Sequence, residues 1–143
     1  MKIIIPFAAY SVNNYYYGDK RHGKRAEAKQ WEYQINWELN KYQPAFEDIK
    51  RQFVLGEHGF KVTFVFAYKS FFNKAGVISS KVFDVSNVEK PLLDLLFNPC
   101  NHGQAPYKSP NINIDDRFVV EMLSKKCQGD SDSIEITIEL INI

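Results

Sequence analysis

Cysteine is scarce in this chain. Cys100 and Cys127 are the two in 143 residues, too few for a small secreted scaffold held by disulfides. Glycine and proline, at seven and six, stay near ordinary usage, which excludes collagen-like, low-complexity and disordered classes. No apolar stretch approaches the roughly 18 residues that read as a bilayer span. The run Ile3 to Tyr10 behind Lys2 contains Pro6 and passes directly into Ser11, Asn13 and Asn14, unlike a cleaved signal. The expectation is therefore a cytoplasmic protein without membrane contact. Acidic residues are missing altogether between Glu57 and Asp84, where Lys61, Lys69, Lys74 and Lys81 fall.

What is present suits one domain, residues 1–143, with a sizeable core: 45% hydrophobic residues, 15% aromatics and a net charge of +1. The charge is unevenly distributed. Lys20, Arg21, Lys24, Arg25 and Lys29 cluster against a single Glu27, and the acids Asp130, Asp132, Glu135 and Glu139 gather late in the chain. Two basic segments on a near-neutral protein suit a local polyanion contact, although a solvated lysine surface fits the same pattern.

Periodicity supplies the elements. Ile3 to Phe7 reads as a short strand, and Ser11 to Gly23 as a polar, tyrosine-rich loop. From Lys24 to Asn40, Ala28, Trp31, Ile35 and Leu39 recur at helical spacing. Pro44 to Gln52 suggests a short helix and Gly56 to Gly59 a turn. Phe60, Val62, Phe64 and Phe66 then alternate with Lys61, Thr63, Val65 and Ala67, the pattern of a strand with one buried face. Ser86 to Phe97 reads as a helix opened by a Ser86-x-x-Glu89 capping box, with Pro91 near its first turn. After a long loop from Asn98 to Asn111 come strands at Arg117 to Cys127 and Ile134 to Ile143. Gln128-Gly129-Asp130 looks like a hairpin turn between them. The order β-α-β-α-β-β predicts an α+β fold, a mixed β-sheet with helices packed on one face.

Three acids stand apart from solvated faces. Asp84 ends the acid-free stretch and precedes a helix start, and Asp115-Asp116 sits between Ile112-x-Ile114 and Phe118-Val119-Val120. Adjacent carboxylates entering an apolar strand repel one another unless a cation or a turn accommodates them. Carboxylates with a lysine nearby suit a hard cation such as Mg²⁺, and with it phosphoryl transfer. In isolation, Asp84 also fits a plain helix start and Asp115-Asp116-Arg117 a plain turn. Asp48-Ile49-Lys50 is too short a pattern to carry weight. Cys100, His102 and Cys127 lack the spacing of a standard zinc site. Tyr15, Tyr16 and Tyr17 suit either stacking on unpaired bases or packing beneath the loop.

The stretch Asp84-Val85-Ser86-Asn87-Val88-Glu89-Lys90, followed by Ile114-Asp115-Asp116-Arg117-Phe118-Val119-Val120, resembles the RusA-type Holliday-junction resolvases. That family has an Asp-x-Asp-Asn motif with a lysine three residues on, opening a helix, and later an Asp-Asp pair beginning a strand. Ile5-Pro6-Phe7 and Ser11-Val12-Asn13-Asn14 are similar to its first strand and the loop that follows. The resemblance implies a RusA-like homodimeric endonuclease that cuts four-way DNA junctions by paired symmetric nicks, with Mg²⁺ or Mn²⁺. By position it implies Asp84 and Asp116 as metal ligands, Asp115 as their helper and Lys90 as the active-site lysine. Ser86 and Asn87 would shape the helix start, Ser86 also serving as a weak ligand. Asn13, Asn14, Lys20, Arg21, Lys24, Arg25 and Lys81 would contact DNA. Three departures stand out. Ser86 replaces the motif's second aspartate, Ala9-Tyr10 replaces the loop prolines, and Asn98 to Asn111 is longer than the family connection. The first departure also admits a branched-DNA-binding module with lost or impaired cleavage.

Overall fold

The computed structural model describes residues 1–11, 13, 23, 25–97 and 111–143. In chain order these form β1 (Lys2–Ile5), α1 (Ala26–Leu39), α2 (Gln43–Gln52), β2 (His58–Tyr68), α3 (Val85–Phe97), β3 (Val119–Gln128) and β4 (Ser133–Asn142). The mixed α+β architecture follows the sequence pattern, and α2 forms where Pro44 to Gln52 suggests a short helix. Short 3-10 segments at Asn40–Tyr42 and Asp116–Phe118 complete it.

The four strands lie in the order β1-β4-β2-β3. β4 runs antiparallel to both β1 and β2, whereas β2 and β3 are parallel. One face of the sheet is apolar and buried: Ile3 and Ile5 of β1, Phe60 to Phe66 at alternate positions of β2, and Ile134, Ile136 and Ile138 of β4. Helical residues at three- and four-residue spacing bury with them, namely Ala28, Trp31, Ile35 and Leu39 of α1, Phe46 and Ile49 of α2, and Val88, Leu92, Leu95 and Leu96 of α3. Removing these side chains from water is the main stabilising term, about 1.5–3 kcal/mol for each large one. The Trp31 indole donates to the Ala8 carbonyl at 3.0 Å, fixing α1 beneath the segment that follows β1.

The expected hairpin between the last two strands does not form, because β2 lies between them. A four-residue connection instead passes over the end of β2. The Gly129 amide donates to the Tyr68 carbonyl at 3.0 Å, and Asp132 accepts from the Lys69 amide at 2.9 Å. A Cβ on Gly129 would stand 2.8 Å from the Ala67 Cβ and 3.0 Å from the Ser131 carbonyl oxygen, so the crossing depends on glycine. The turn residues were read correctly as a turn. The choice of neighbour was decided by burial: β4 alternates apolar and polar and fills the centre, while β3 takes the edge.

Two features of α3 also differ from expectation. The helix begins at Val85, one residue before the expected cap, and the Asn87 amide donates to the Asp84 carbonyl at 3.0 Å. Asp84 therefore stands at the helix entrance, a position aspartate favours as much as serine does. Ser86 is an exposed residue of the first turn and makes no side-chain hydrogen bond among the described residues. Pro91 lies inside the helix rather than at its start. It has no N–H to offer the Asn87 carbonyl, so the helix carries a gap one turn from its beginning.

Candidate functional site

α3 connects the parallel neighbours β2 and β3, and that connection decides where the acids fall. Asp84 belongs to the end of the unit at which β2 and β3 finish. The ammonium of Lys126, two residues before the end of β3 and paired with Phe66, donates to the Phe83 carbonyl at 3.5 Å. The far end of α3 meets the opposite edge. The Ile112 amide donates to the Leu96 carbonyl at 2.8 Å, and the Phe97 ring lies 5.3 Å from that of Phe60, whose register partner is Val119. Phe118 packs edge-on to Phe53 at 5.5 Å, and Phe53 stacks on Phe60 at 5.1 Å.

Asp115 and Asp116 are thus at the start of β3 and Asp84 is near its finish. The 13-residue helix between them spans roughly 20 Å at about 1.5 Å per residue. The seven steps of strand from Val119 to Lys126 advance roughly 23 Å. One copy of the chain does not bring these carboxylates onto a common ion, whose oxygen ligands stand only about 2.0–2.6 Å from it. Among the described residues no group of three or more His, Cys, Asp or Glu side chains could hold a metal. The expected set Asp84, Asp115 and Asp116 does not fit a divalent cation within one copy.

The local chemistry at each place agrees with the plainer alternatives. The Asp115 carboxylate accepts from the Arg117 amide at 2.8 Å and caps the 3-10 turn Asp116–Phe118. Because the pair sits in a turn, strand alternation does not govern the directions of the two side chains. Asp116 and Arg117 are exposed, and the Arg117 guanidinium lies 4.9 Å from the centre of the Phe118 ring. Lys90 pairs with Asp94 one turn further along α3, at 3.7 Å. The lysine end of this pair is well exposed, so the pair contributes little.

The basic residues have a clearer arrangement. Lys69 follows β2, Lys81 precedes α3, and Lys125 and Lys126 lie late in β3, all at the Asp84 end. Among the described residues none of these four, nor Lys74, forms an ion pair. By contrast, Lys61 at the other end is engaged by Glu121 at 3.4 Å. The segment between β2 and α3 also folds back on itself, a feature the sequence reading did not anticipate. Phe72 bridges to Ile78, the Asn73 amide donates to the Val77 carbonyl at 2.8 Å, and the Asn73 carboxamide oxygen accepts from the Ala75 and Val77 amides. Gly76 takes a φ of 77° at this turn. Phe72, Val77 and Ile78 are exposed beside Lys74 at its tip. The signal for this arm was Asn73-x-x-Gly76, a turn pattern flanked by apolar residues.

Of the other expected DNA contacts, Asn13 is exposed and its amide donates to the Ser11 hydroxyl at 3.2 Å. Arg25 precedes the first turn of α1, and the exposed Lys81 donates its amide to the Ser79 hydroxyl at 3.2 Å. Asn14, Lys20, Arg21 and Lys24 lie outside the described residues, as do Tyr15 to Tyr17 and most of the long loop from Asn98 to Asn111. No helix among the described residues is long and apolar enough to cross a membrane. No family model matches the chain, and no curated protein is significantly similar to it.

Proposed function

We propose that this chain is a branched-DNA-binding module, RusA-like in plan, in which one copy presents a phosphate-binding end but not an assembled divalent centre. The observation that carries this reading is a group of lysines outside any ion pair at the end of the β2-α3-β3 unit that also carries Asp84 and Asp132. Lys69, Lys74, Lys81, Lys125 and Lys126 gather at one end without ion-pair partners among the described residues, while Asp115 and Asp116 occupy the other. Ammonium groups outside ion pairs, beside an arm exposing Phe72, suit a backbone contact reinforced by an aromatic surface for unpaired bases. Recognition of this type reads charge and shape rather than base edges.

The test is a gel-shift comparison of a labelled four-way junction with linear duplex of the same length, in EDTA and over a series of salt concentrations. Preference for the junction and a steep fall in affinity with salt are expected. Lys74→Glu with Lys81→Glu is expected to weaken binding roughly tenfold or more and to flatten the salt slope. Equal binding to both DNAs, or an unaltered affinity in the double variant, overturns the proposal.

A second reading, the metal-dependent endonuclease resolving four-way junctions, is favoured by one observation: Asp84, Lys90, Asp115 and Asp116 occur in the order of the family motifs. It requires the separated acids to come from two copies. Nicking of the junction in Mg²⁺ or Mn²⁺ that disappears with Asp84→Asn decides for this reading. Cleavage gained by Ser86→Asp alone marks a binding module that has lost one ligand.

A further inference from the structure

α1 turns Ala28, Trp31, Ile35 and Leu39 into the core, so its opposite face is expected to be polar. It is not wholly so. Tyr33 is 40% and Trp37 63% exposed there, although tryptophan is among the side chains most covered on average. Four residues apart, the two share one side of the helix, about 6 Å from one another along its axis. Lys29 lies four residues before Tyr33, and Lys41 four after Trp37, so a basic residue closes the stripe at each end. Gln30, Gln34 and Asn40, around the two rings, are exposed and uncharged.

The acids of α1 stay off this stripe. Glu32 and Glu38 border the buried side and are half-buried, and Glu27 sits on the flank near the helix start. Glu38 meets Lys41 at 2.6 Å, whereas Lys29 is exposed and forms no ion pair among the described residues. We propose that the stripe Lys29-Tyr33-Trp37-Lys41 is a platform for single-stranded DNA. Two successive bases stack on Tyr33 and Trp37, and the phosphates beside them meet the ammonium groups. Stacking on aromatic side chains beside a basic track is how unpaired strands are held without sequence preference, since every base has a π-face. A duplex keeps those faces inside its own stack, so the platform selects the unpaired strand. The charge favours a polyanion as occupant: cations end the stripe and no carboxylate stands on it.

The platform is distinct from the lysine end of the β2-α3-β3 unit. Tyr42, next in the chain after Lys41, bonds Ile4 of β1, and β1 and β3 form opposite edges of the sheet. Lys41 thus lies towards the β1 edge, and Lys125 and Lys126 lie on the other. A DNA that divides into duplex and unpaired strand touches both surfaces. This inference deepens the branched-DNA reading by adding a single-stranded arm to its substrate. It rests on that reading for its biological use, but its test uses a strand with no branch.

The experiment is titration of the full chain with oligothymidylate in EDTA, read by tryptophan emission and by anisotropy of a labelled strand. Trp31 is 6% exposed and Trp37 63%, so the emission that DNA can quench is that of Trp37. Saturable quenching is expected, and its disappearance in Trp37→Phe, which keeps a ring and most of the affinity. Tyr33→Ala with Trp37→Ala is expected to weaken binding roughly tenfold or more. Lys29→Gln is expected to lower the slope of log affinity against log salt by about 0.7, the share of one phosphate contact on a single strand. Unaltered affinity in the double alanine variant overturns the proposal. So does Trp37 emission untouched by bound strand, or equal quenching by linear duplex. Circular dichroism checks the fold of each variant, and the quenching test on the unaltered chain stands even where the alanine variant unfolds. Junction preference in the gel shift without quenching by oligothymidylate defeats the platform alone. Quenching without junction preference defeats the branched-DNA reading alone.

Discussion

The β1 edge of the sheet is four residues long and tied off by a tyrosine, whereas the β3 edge runs for ten residues with large apolar side chains in the open. At β1, the Tyr42 hydroxyl accepts from the Ile4 amide at 3.0 Å and donates to the Ile4 carbonyl at 3.4 Å. One phenol thereby occupies the outward groups that another strand would need, and the strand is too short to offer many more. At β3 a bulge at Val120, where pairing steps from Phe60–Val119 to Lys61–Glu121, is the one local irregularity. Bulges and charges commonly discourage edge pairing, and Glu121 and Lys125 stand along this edge among the exposed Val120, Met122 and Leu123. The lesson is that one sheet guards its two edges differently, one with a single hydroxyl and the other with a bulge and charged side chains.

The largest effect expected from probing this contrast is that of truncating the same kind of side chain on each edge. Ile5 of β1 is fully buried, so Ile5→Ala is expected to cost about 2–5 kcal/mol in urea unfolding. Leu123→Ala is expected to stay within about 0.5 kcal/mol, the range of surface substitutions. Similar losses at both positions would mean that β3 is not an open edge. Next comes the connection that sends β3 outward and β4 inward. Gly129→Ala places a methyl against Ala67 and the Ser131 carbonyl, and about 1–3 kcal/mol of destabilisation is expected in the same assay.

A smaller change should follow Tyr42→Phe, which leaves the Ile4 amide and carbonyl without their partner. About 1 kcal/mol of lost stability is expected, together with faster hydrogen exchange at Ile4. The smallest effect concerns Tyr68, where β2 ends. Burial first and the nearby Asp132 second hold its hydroxyl above the ordinary value of 10.0, and the hydroxyl is buried without a partner. The folded chain keeps this proton when the unfolded chain has released it. The contribution is therefore complete below pH 10 and falls away as pH rises beyond it. Tyr68→Phe is expected to be neutral or slightly stabilising at pH 7 and to flatten the alkaline decline, read as unfolding midpoint against pH.

Much of this fold is legible in the sequence because burial writes its period there. The helical spacing Ala28, Trp31, Ile35, Leu39 and the alternation Phe60 to Phe66 each mark a face that the structure buries. What local pattern could not supply was neighbour choice. Gln128-Gly129-Asp130 has the chemistry of a turn, but whether β4 lands beside β3 or beyond β2 depends on which strand can cover the core. The entrance to α3 lies two residues before the expected cap, because Asp84 and Ser86 are both good entrances to a helix. Asp84 stands at a helix entrance and Asp115-Asp116 in a 3-10 turn, the plainer of the alternatives their sequence offers. Their separation follows from a parallel crossover, which sets the start of a helix and the start of the next strand at opposite ends.

The final strand in the chain occupies the middle of the sheet. β4 is the only described neighbour of β1 and joins it to β2 through pairs running from His58–Asn142 to Ala67–Ser133. During synthesis, therefore, the N-terminal strand waits without a partner until Ser133 to Asn142 has left the ribosome. Helices close early through local contacts, but the sheet is completed late and through distant ones, the arrangement that slows folding most.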